Sequence, residues 1–341
     1  MKGLLVIVAL AVCGAYSIPL QPAQPVFTDF IKPERWSVAR NGNGRLHLVD
    51  LNPLVAEPEP AFDPMTDMFF LLFTRSNPTV GQRITFDVQS IENSNFRRGA
   101  GTRFLTHGWT SSSESRENVF TRDDFLARAD YNVIVVDWSI GASSINYITS
   151  RNRVGPVGAV VAQLIDFLDE HGFVSHAQVH AIGISLGAHI SGHAGKNVRR
   201  GRINAIFGND PSGPLFNINN PDRLDSSDAV YTEAIHTNVG VLGFDEPITH
   251  ATFYPNWGGP NQPGCGTDVS GACSHARSTF LYSESINSDR FRARQCTGYD
   301  QIVARNCPGT GVVVSMGGDV ARDVRGVFFL ETNAEAPFAM G

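Results

Sequence analysis

Between Tyr131 and Asp210 three apolar, β-branched runs alternate with two helix-like segments, and this alternation restricts the fold more than anything else in the chain. "YNVIVVDW" (131–138) and "AQVHAIGI" (177–184) have the length and composition of buried strands. Between them, "VGPVGAVVAQLIDFLDEHG" (154–172) places apolar residues at Val154, Val157, Val161, Leu164, Ile165 and Leu168. Those positions share one helix face, and Gly172 is a stop signal. "LGAHISGHAGKNV" (186–198) is again helix-like and "RINAIFGND" (202–210) strand-like; upstream, "MFFLLF" and "RFLTHG" suit two more buried strands. Strands alternating with helices require crossover connections. The expectation is therefore an α/β fold with a mostly parallel sheet covered on both faces.

The N-terminus reads differently. Lys2, the apolar run "LLVIVALAVC" and the small residues up to Ser17 form a signal peptide over residues 1–17. The run is too short to span a bilayer, so the mature chain is expected to be secreted. Residues 18–62, with "IPLQPAQP" and "AEPEPAFDP", are proline-rich and weakly periodic, and read as a propeptide or loosely attached arm. Residues 63–341 are then expected to form a single domain. With a formal net charge of -6 and no long Lys/Arg run, nucleic acid is excluded as a partner. Cys13 leaves with the leader. Cys265, Cys273, Cys296 and Cys307 remain, an even number suited to an oxidising compartment. Four cysteines allow three connectivities; sequence-local pairing would give Cys265–Cys273 and Cys296–Cys307. The spacings are not those of a zinc knuckle.

At the junction of the second strand and second helix lies Gly183-Ile184-Ser185-Leu186-Gly187. A bare G-x-S-x-G match is weak, but a strand-to-helix turn is where a nucleophile elbow needs it. The turn is too tight for side chains at the flanking positions, and the serine hydroxyl projects from the sheet edge. A serine needs a base, and the base an orienting acid. In α/β-hydrolases the chain order is Ser, Asp/Glu, His. Asp210, at the end of the next strand, satisfies that order; Asp137, which precedes the serine, does not. Of the later histidines, His236 lies in an apolar segment and reads as packed, and His250 has no special context. His275 follows Cys273 by two residues, so a disulfide would pin the loop carrying the base. His189 and His193, four apart on one helix, lack the third ligand or H-E-x-x-H glutamate of a metal site.

Further segments extend the match: "FLTHGW" (104–109), "VVDW" (135–138), "GISLGAH" (183–189), "DPSGPLF" (210–216), "RLDSSDA" (223–229), "IHTN" (235–238), "FYPNWGG" (253–259), "PGCG" (263–266), "CSHARS" (273–278) and "FFLET" (328–332). With these in order, the chain resembles the pancreatic lipase family of secreted α/β-hydrolases. The resemblance implies a Ser185–Asp210–His275 triad and an oxyanion hole from the backbone N–H groups of Trp109 and Leu186. It implies no required cofactor, with a structural calcium loop at Asn220, Arg223, Asp225 and Asp228, where carbonyl and carboxylate oxygens suit a hard cation. Two positions depart from the family's pattern: Ile184 replaces a usual histidine and Asn209 a usual leucine, both beside triad positions. The chain ends shortly after "FFLET", so the C-terminal β-sandwich domain of larger relatives, and colipase as partner, are not expected.

Only seven residues, Gly266–Ala272, separate Cys265 from Cys273. In lipases of the family this loop is a much longer lid. A loop this short resembles the insect-type phospholipase A1 subgroup and implies a lipid substrate at a membrane or micelle surface, cleaved at the sn-1 ester without interfacial activation. A triacylglycerol lipase or general lipid esterase is the alternative. Yolk proteins sharing the fold lack the nucleophile and act as storage or lipid carriers; retention of Ser185, Asp210 and His275 favours an enzyme.

Overall fold

The computed structural model describes residues 61–144 and 146–341, together with the backbone of two strands further upstream, β1 (Trp36–Arg40) and β2 (Leu46–Asp50). The signal peptide and the rest of the proline-rich arm lie outside the described residues. β1 and β2 pair antiparallel, elements that the arm's composition does not signal.

The remaining strands are β3 (Phe69–Phe73), β4 (Gln82–Ile84), β5 (Thr102–Thr106), β6 (Asn132–Asp137), β7 (Val179–Ile184), β8 (Ala205–Asn209), β9 (Tyr231–Ile235), β10 (Ala251–Pro255), β11 (Arg292–Cys296), β12 (Val313–Ser315) and β13 (Gly326–Leu330). They form one eleven-stranded sheet in the order β12-β11-β13-β10-β9-β8-β7-β5-β6-β3-β4. From β13 to β6 every pairing is parallel. The two ends are antiparallel, β3 and β4 beyond β6 and β11 and β12 beyond β13. Both outermost strands, β4 and β12, are three residues long.

The helices are α1 (Pro64–Asp67), α2 (Val88–Glu92), α3 (Arg116–Arg128), α4 (Ser139–Ala142), α5 (Tyr147–Asn152), α6 (Val154–Glu170), α7 (Leu186–Asn197), α8 (Ala272–Ile286) and α9 (Tyr299–Val303). Alternation along the strands divides the core into two layers. Phe104, Ile134, Val136, Ala181 and Ile206 point to the α6 and α7 side, packing with Val157, Leu164 and Ile190. Their neighbours Leu105, Val135, Ile182 and Phe207 point the other way, toward Phe125 of α3 and Leu281 and Tyr282 of α8. With apolar layers on both faces, central strands need no polar positions, which is why "NVIVV" and "AIF" read as unbroken apolar runs. The expected α/β-hydrolase architecture, a mostly parallel sheet flanked by helices, is what the chain adopts. No helix among the described residues is long and apolar enough to cross a membrane.

Candidate active site

β7 ends at Ile184 and α7 begins at Leu186, so Ser185 alone makes the turn. Its backbone has φ 57 and ψ -124, a conformation costly for any residue with a side chain. The flanking glycines are dictated by contact. A methyl on Gly183 would come within 2.1 Å of the Gly187 carbonyl oxygen, and one on Gly187 within 2.1 Å of the Thr106 carbonyl oxygen. Ser185 is left half-buried at the sheet's edge, ahead of the N-terminus of α7, where partial positive charge gathers.

The loop after β5 packs directly on this turn: a methyl on Gly108 would fall 2.8 Å from Ser185 Cβ. His107 fixes that loop. Its Nδ1 is 2.9 Å from the Gly108 carbonyl oxygen, its Nε2 accepts the Trp138 backbone N–H at 3.2 Å, and its ring stacks on Trp138. Among the described residues, the backbone N–H groups of Trp109 and Leu186 donate to no protein acceptor. They are free to serve another oxygen.

Asp210 follows β8, the strand beside β7, and is fully buried. Its Oδ1 accepts the backbone N–H groups of Thr237 at 2.7 Å and Asn238 at 3.1 Å, and its Oδ2 lies 2.5 Å from Nδ1 of His275. His275 occupies the first turn of α8, where its own N–H bonds the Gly271 carbonyl at 2.8 Å. The Cys265–Cys273 disulfide closes the loop just ahead of it, and the second disulfide joins Cys296 to Cys307. Backbone bonds tie the two strand ends together, from Ser185 N–H to the Asn209 carbonyl at 3.1 Å and from Ser212 N–H to the Ser185 carbonyl at 3.3 Å. Asp210 and His275 are thus in contact, with Ser185 on the neighbouring strand end. Ser185 Oγ and His275 Nε2 form no hydrogen bond among the described residues. Such contacts are often long before substrate binds.

The other candidates have structural partners. Asp137 accepts the backbone N–H groups of Ser139 at 3.0 Å and Ser113 at 3.3 Å. His236 is fully buried, with Nδ1 2.7 Å from the Phe244 carbonyl. His250 accepts the Thr232 N–H at 3.1 Å. His189 is saturated on both ring nitrogens: Nε2 donates to the Ser212 carbonyl at 2.8 Å and Nδ1 accepts the Leu224 N–H at 2.9 Å. Burial pushes it down to about 3, so it is a neutral bridge. His193 pairs with Asp222 at 2.8 Å.

Of the four oxygens in the calcium reading, the two carboxylates already have protein partners. Asp228 contacts the Lys196 ammonium through Oδ1 and accepts the Asp225 N–H through Oδ2. Asp225 accepts the Ser227 N–H at 3.0 Å through Oδ1 and an Arg223 guanidinium N–H at 3.0 Å through Oδ2. The Asn220 side-chain oxygen accepts the Asp222 N–H at 2.9 Å. The backbone carbonyls of Asn220 and Arg223, the other two oxygens of that reading, accept no donor among the described residues.

Ile184 and Asn209, the two departures noted in the sequence, line a narrow pocket together with Thr106, Asn118 and Thr279. The Asn209 side-chain oxygen is buried there without a hydrogen-bond partner. Sequence reasoning missed the support around Asp210: the Thr237 and Asn238 amides, and Gly243, where a methyl would fall 2.6 Å from Asp210 Oδ1. The available signal was "IHTN", which stood among the matching segments without a role.

A family model described as Lipase matches residues 56–338. Lipase member H of Danio rerio is 39% identical over 255 residues, covering 72% of this chain and 55% of the relative. Pancreatic triacylglycerol lipase of Homo sapiens is 34% identical over 304 residues, covering 79% and 64%. Phospholipase A1 member A of Rattus norvegicus is 34% identical over 294 residues, covering 80% and 63%. The chain spans a little over half to nearly two-thirds of the length of these relatives. By the extent of that match, and by the serine turn, the order of its acidic and imidazole partners and the sheet that carries them, the chain belongs to the pancreatic lipase family.

Proposed function

We propose that this chain is a secreted serine hydrolase of lipid carboxylic esters, with the sn-1 acyl ester of phospholipids as its preferred substrate. The observation that carries the hydrolase reading is the contact between His275 and Asp210 beside the strand end that holds Ser185 at a positive φ. Asp210 keeps the Nδ1 proton on the imidazole, which leaves Nε2 as the base. Nε2 takes the Ser185 proton as Oγ attacks the ester carbonyl. The developing oxyanion is met by the N–H groups of Trp109 and Leu186, each contributing ~10²–10³ in rate. The imidazolium returns its proton to the departing lysolipid alcohol. Water, deprotonated by the same nitrogen, then releases the fatty acid from the acyl-serine.

The finer substrate reading is supported by the Cys265–Cys273 loop, closed over a separation of 8 residues. A loop so short leaves room for a polar head group and offers little apolar surface to neutral glycerides. The two disulfides suit an oxidising, extracellular setting.

Fatty-acid release from phosphatidylcholine and from triolein, each assayed below and above its solubility limit, tests the proposal. Phospholipid cleavage without a rate jump at the interface is expected. Triolein turnover with a sharp jump, and no phospholipid cleavage, would identify a triacylglycerol lipase instead. Inertness to both lipids and to a fluorophosphonate probe would leave a carrier or storage protein.

A further inference from the structure

The N–H groups of Trp109 and Leu186 each share a planar peptide with a carbonyl that is tied down. For Trp109 it is the Gly108 carbonyl, 2.9 Å from His107 Nδ1. For Leu186 it is the Ser185 carbonyl, which accepts the N–H groups of Ala188 at 3.1 Å and Ser212 at 3.3 Å. The C=O and N–H of one trans peptide point in opposite directions, so fixing the carbonyl aims the N–H. Ser212 therefore helps to aim the second donor from outside α7, and something else must hold Ser212.

Tyr147, the first residue of α5, does so. Both residues are buried. The phenol oxygen lies 2.9 Å from the Pro214 carbonyl and 2.8 Å from Ser212 Oγ. A phenol has one proton and a carbonyl can only accept, so Tyr147 donates to Pro214 and Ser212 Oγ donates to Tyr147. The Tyr147 ring also meets Trp109. The two rings stand edge to face with centroids 5.4 Å apart, and Trp109 Nε1 donates to the Ser144 carbonyl at 2.8 Å. One buried side chain thus touches Trp109 directly and reaches the Leu186 peptide through Ser212.

We infer that Tyr147 is a positioning residue for the oxyanion hole: its contacts with Trp109 and Ser212 set the spacing between the Trp109 and Leu186 N–H groups. This role rests on the hydrolysis proposed above. A donor aimed at a tetrahedral oxyanion loses much of its value when it is displaced by a fraction of an ångström, so loosening Tyr147 lowers turnover more than it weakens binding of the ground-state ester. Neither the Tyr147 phenol nor the Ser212 hydroxyl bonds Asp210 or His275 among the described residues, so the pH dependence that His275 imposes stays as it is.

The test measures hydrolysis of a short-chain p-nitrophenyl ester, and binding of an alkylboronic acid whose serine adduct places an oxygen in the oxyanion position. The full chain is compared as wild type, Tyr147→Phe, Tyr147→Leu, Ser212→Ala and the Tyr147→Phe/Ser212→Ala double variant. Tyr147→Phe is expected to lower kcat about 10-fold with KM within about twofold, to weaken boronic-acid binding by the same factor and to leave the pH–rate profile unchanged. Ser212→Ala should match it, and the double variant should be no slower than either single, because both changes break one hydrogen bond. Tyr147→Leu, which also removes the ring contact with Trp109, should cost about a further 10-fold in kcat. Wild-type kcat in Tyr147→Phe overturns the inference. So does a change confined to KM, a fall in kcat without loss of boronic-acid affinity, a shifted pH profile, losses that multiply in the double variant, or a Tyr147→Leu chain no slower than Tyr147→Phe. If the Tyr147 variants do not fold, Ser212→Ala decides by the same readings. A wild type inert to the ester and to a fluorophosphonate probe overturns the hydrolase reading and the inference with it; an active wild type with unaffected variants overturns the inference alone.

Discussion

Nδ1 of His275 lies 2.5 Å from Oδ2 of Asp210, while Oδ1 of the same carboxylate is held by the Thr237 and Asn238 amides. The carboxylate cannot rotate without losing those donors, so it presents a single acceptor to the imidazole. Asp210→Asn keeps the shape but favours the wrong imidazole tautomer. The expected result is a fall in kcat of about 10⁴-fold with KM little changed, read from steady-state ester hydrolysis. A loss confined to KM would count against the assigned role.

Ser185 carries both the proposed nucleophile and the strained turn. Ser185→Ala should lower turnover by roughly 10⁶-fold and abolish fluorophosphonate labelling, with an unchanged circular dichroism spectrum. Ser185→Gly should be equally inactive yet more stable, by about 1 kcal/mol, because glycine tolerates φ 57. Calorimetry on the two variants separates the chemical role of the hydroxyl from the backbone cost of placing it.

These two residues also mark how far the sequence could be read. The elbow was legible because Gly183 and Gly187 are demanded by 2.1 Å backbone contacts, and a steric demand of that kind leaves a fixed spacing in the chain. β6 to β8 were legible because burial on both faces leaves them mostly apolar. β11 and β12 were not: β11 alternates exposed and buried residues, β12 has three residues and none of them buried, and their pairing is set by distant partners. The Asp210–His275 contact spans 65 residues. Sequence reached it through chain order and the neighbouring cystine, but the amides holding Asp210 are backbone groups and carry no residue signature. The partner of Asp228 was hidden for a related reason. "RLDSSDA" holds the acidic residues, whereas the nitrogen that answers Asp228 comes from Lys196, on another element.

Glu233 on β9 is fully buried; Oε2 accepts the Tyr231 hydroxyl at 2.6 Å and Oε1 the Gly317 N–H at 2.6 Å. Burial raises its pKa from 4.5 to about 7 despite those hydrogen bonds. A carboxyl raised on folding favours the protonated native state. Its contribution is complete below about pH 4.5 and is lost as pH rises through about 7. Denaturant titrations of wild type and Glu233→Gln at several pH values should show the wild type losing on the order of 3 kcal/mol relative to the variant across that window. A pH-independent difference between the two would contradict the reading.

The Asn209 side-chain oxygen is buried without a partner. Asn209→Leu removes that unsatisfied group and adds apolar contact in the same pocket. The expected gain is about 1 kcal/mol in chemical denaturation, with hydrolysis retained because the substitution keeps the backbone bond from Ser185 N–H to the carbonyl of residue 209. A loss of stability would mean that the pocket holds the amide through ordered water.

The three-residue outermost strands β4 and β12 bear on how such a chain behaves when concentrated. A wide sheet has two open borders, and a long, flat border is a template on which a second molecule can add its own strand. Here each border offers too few free amides and carbonyls to seed that addition. The broad parallel interior can therefore be crowded at a surface without the sheets of neighbouring molecules joining edge to edge.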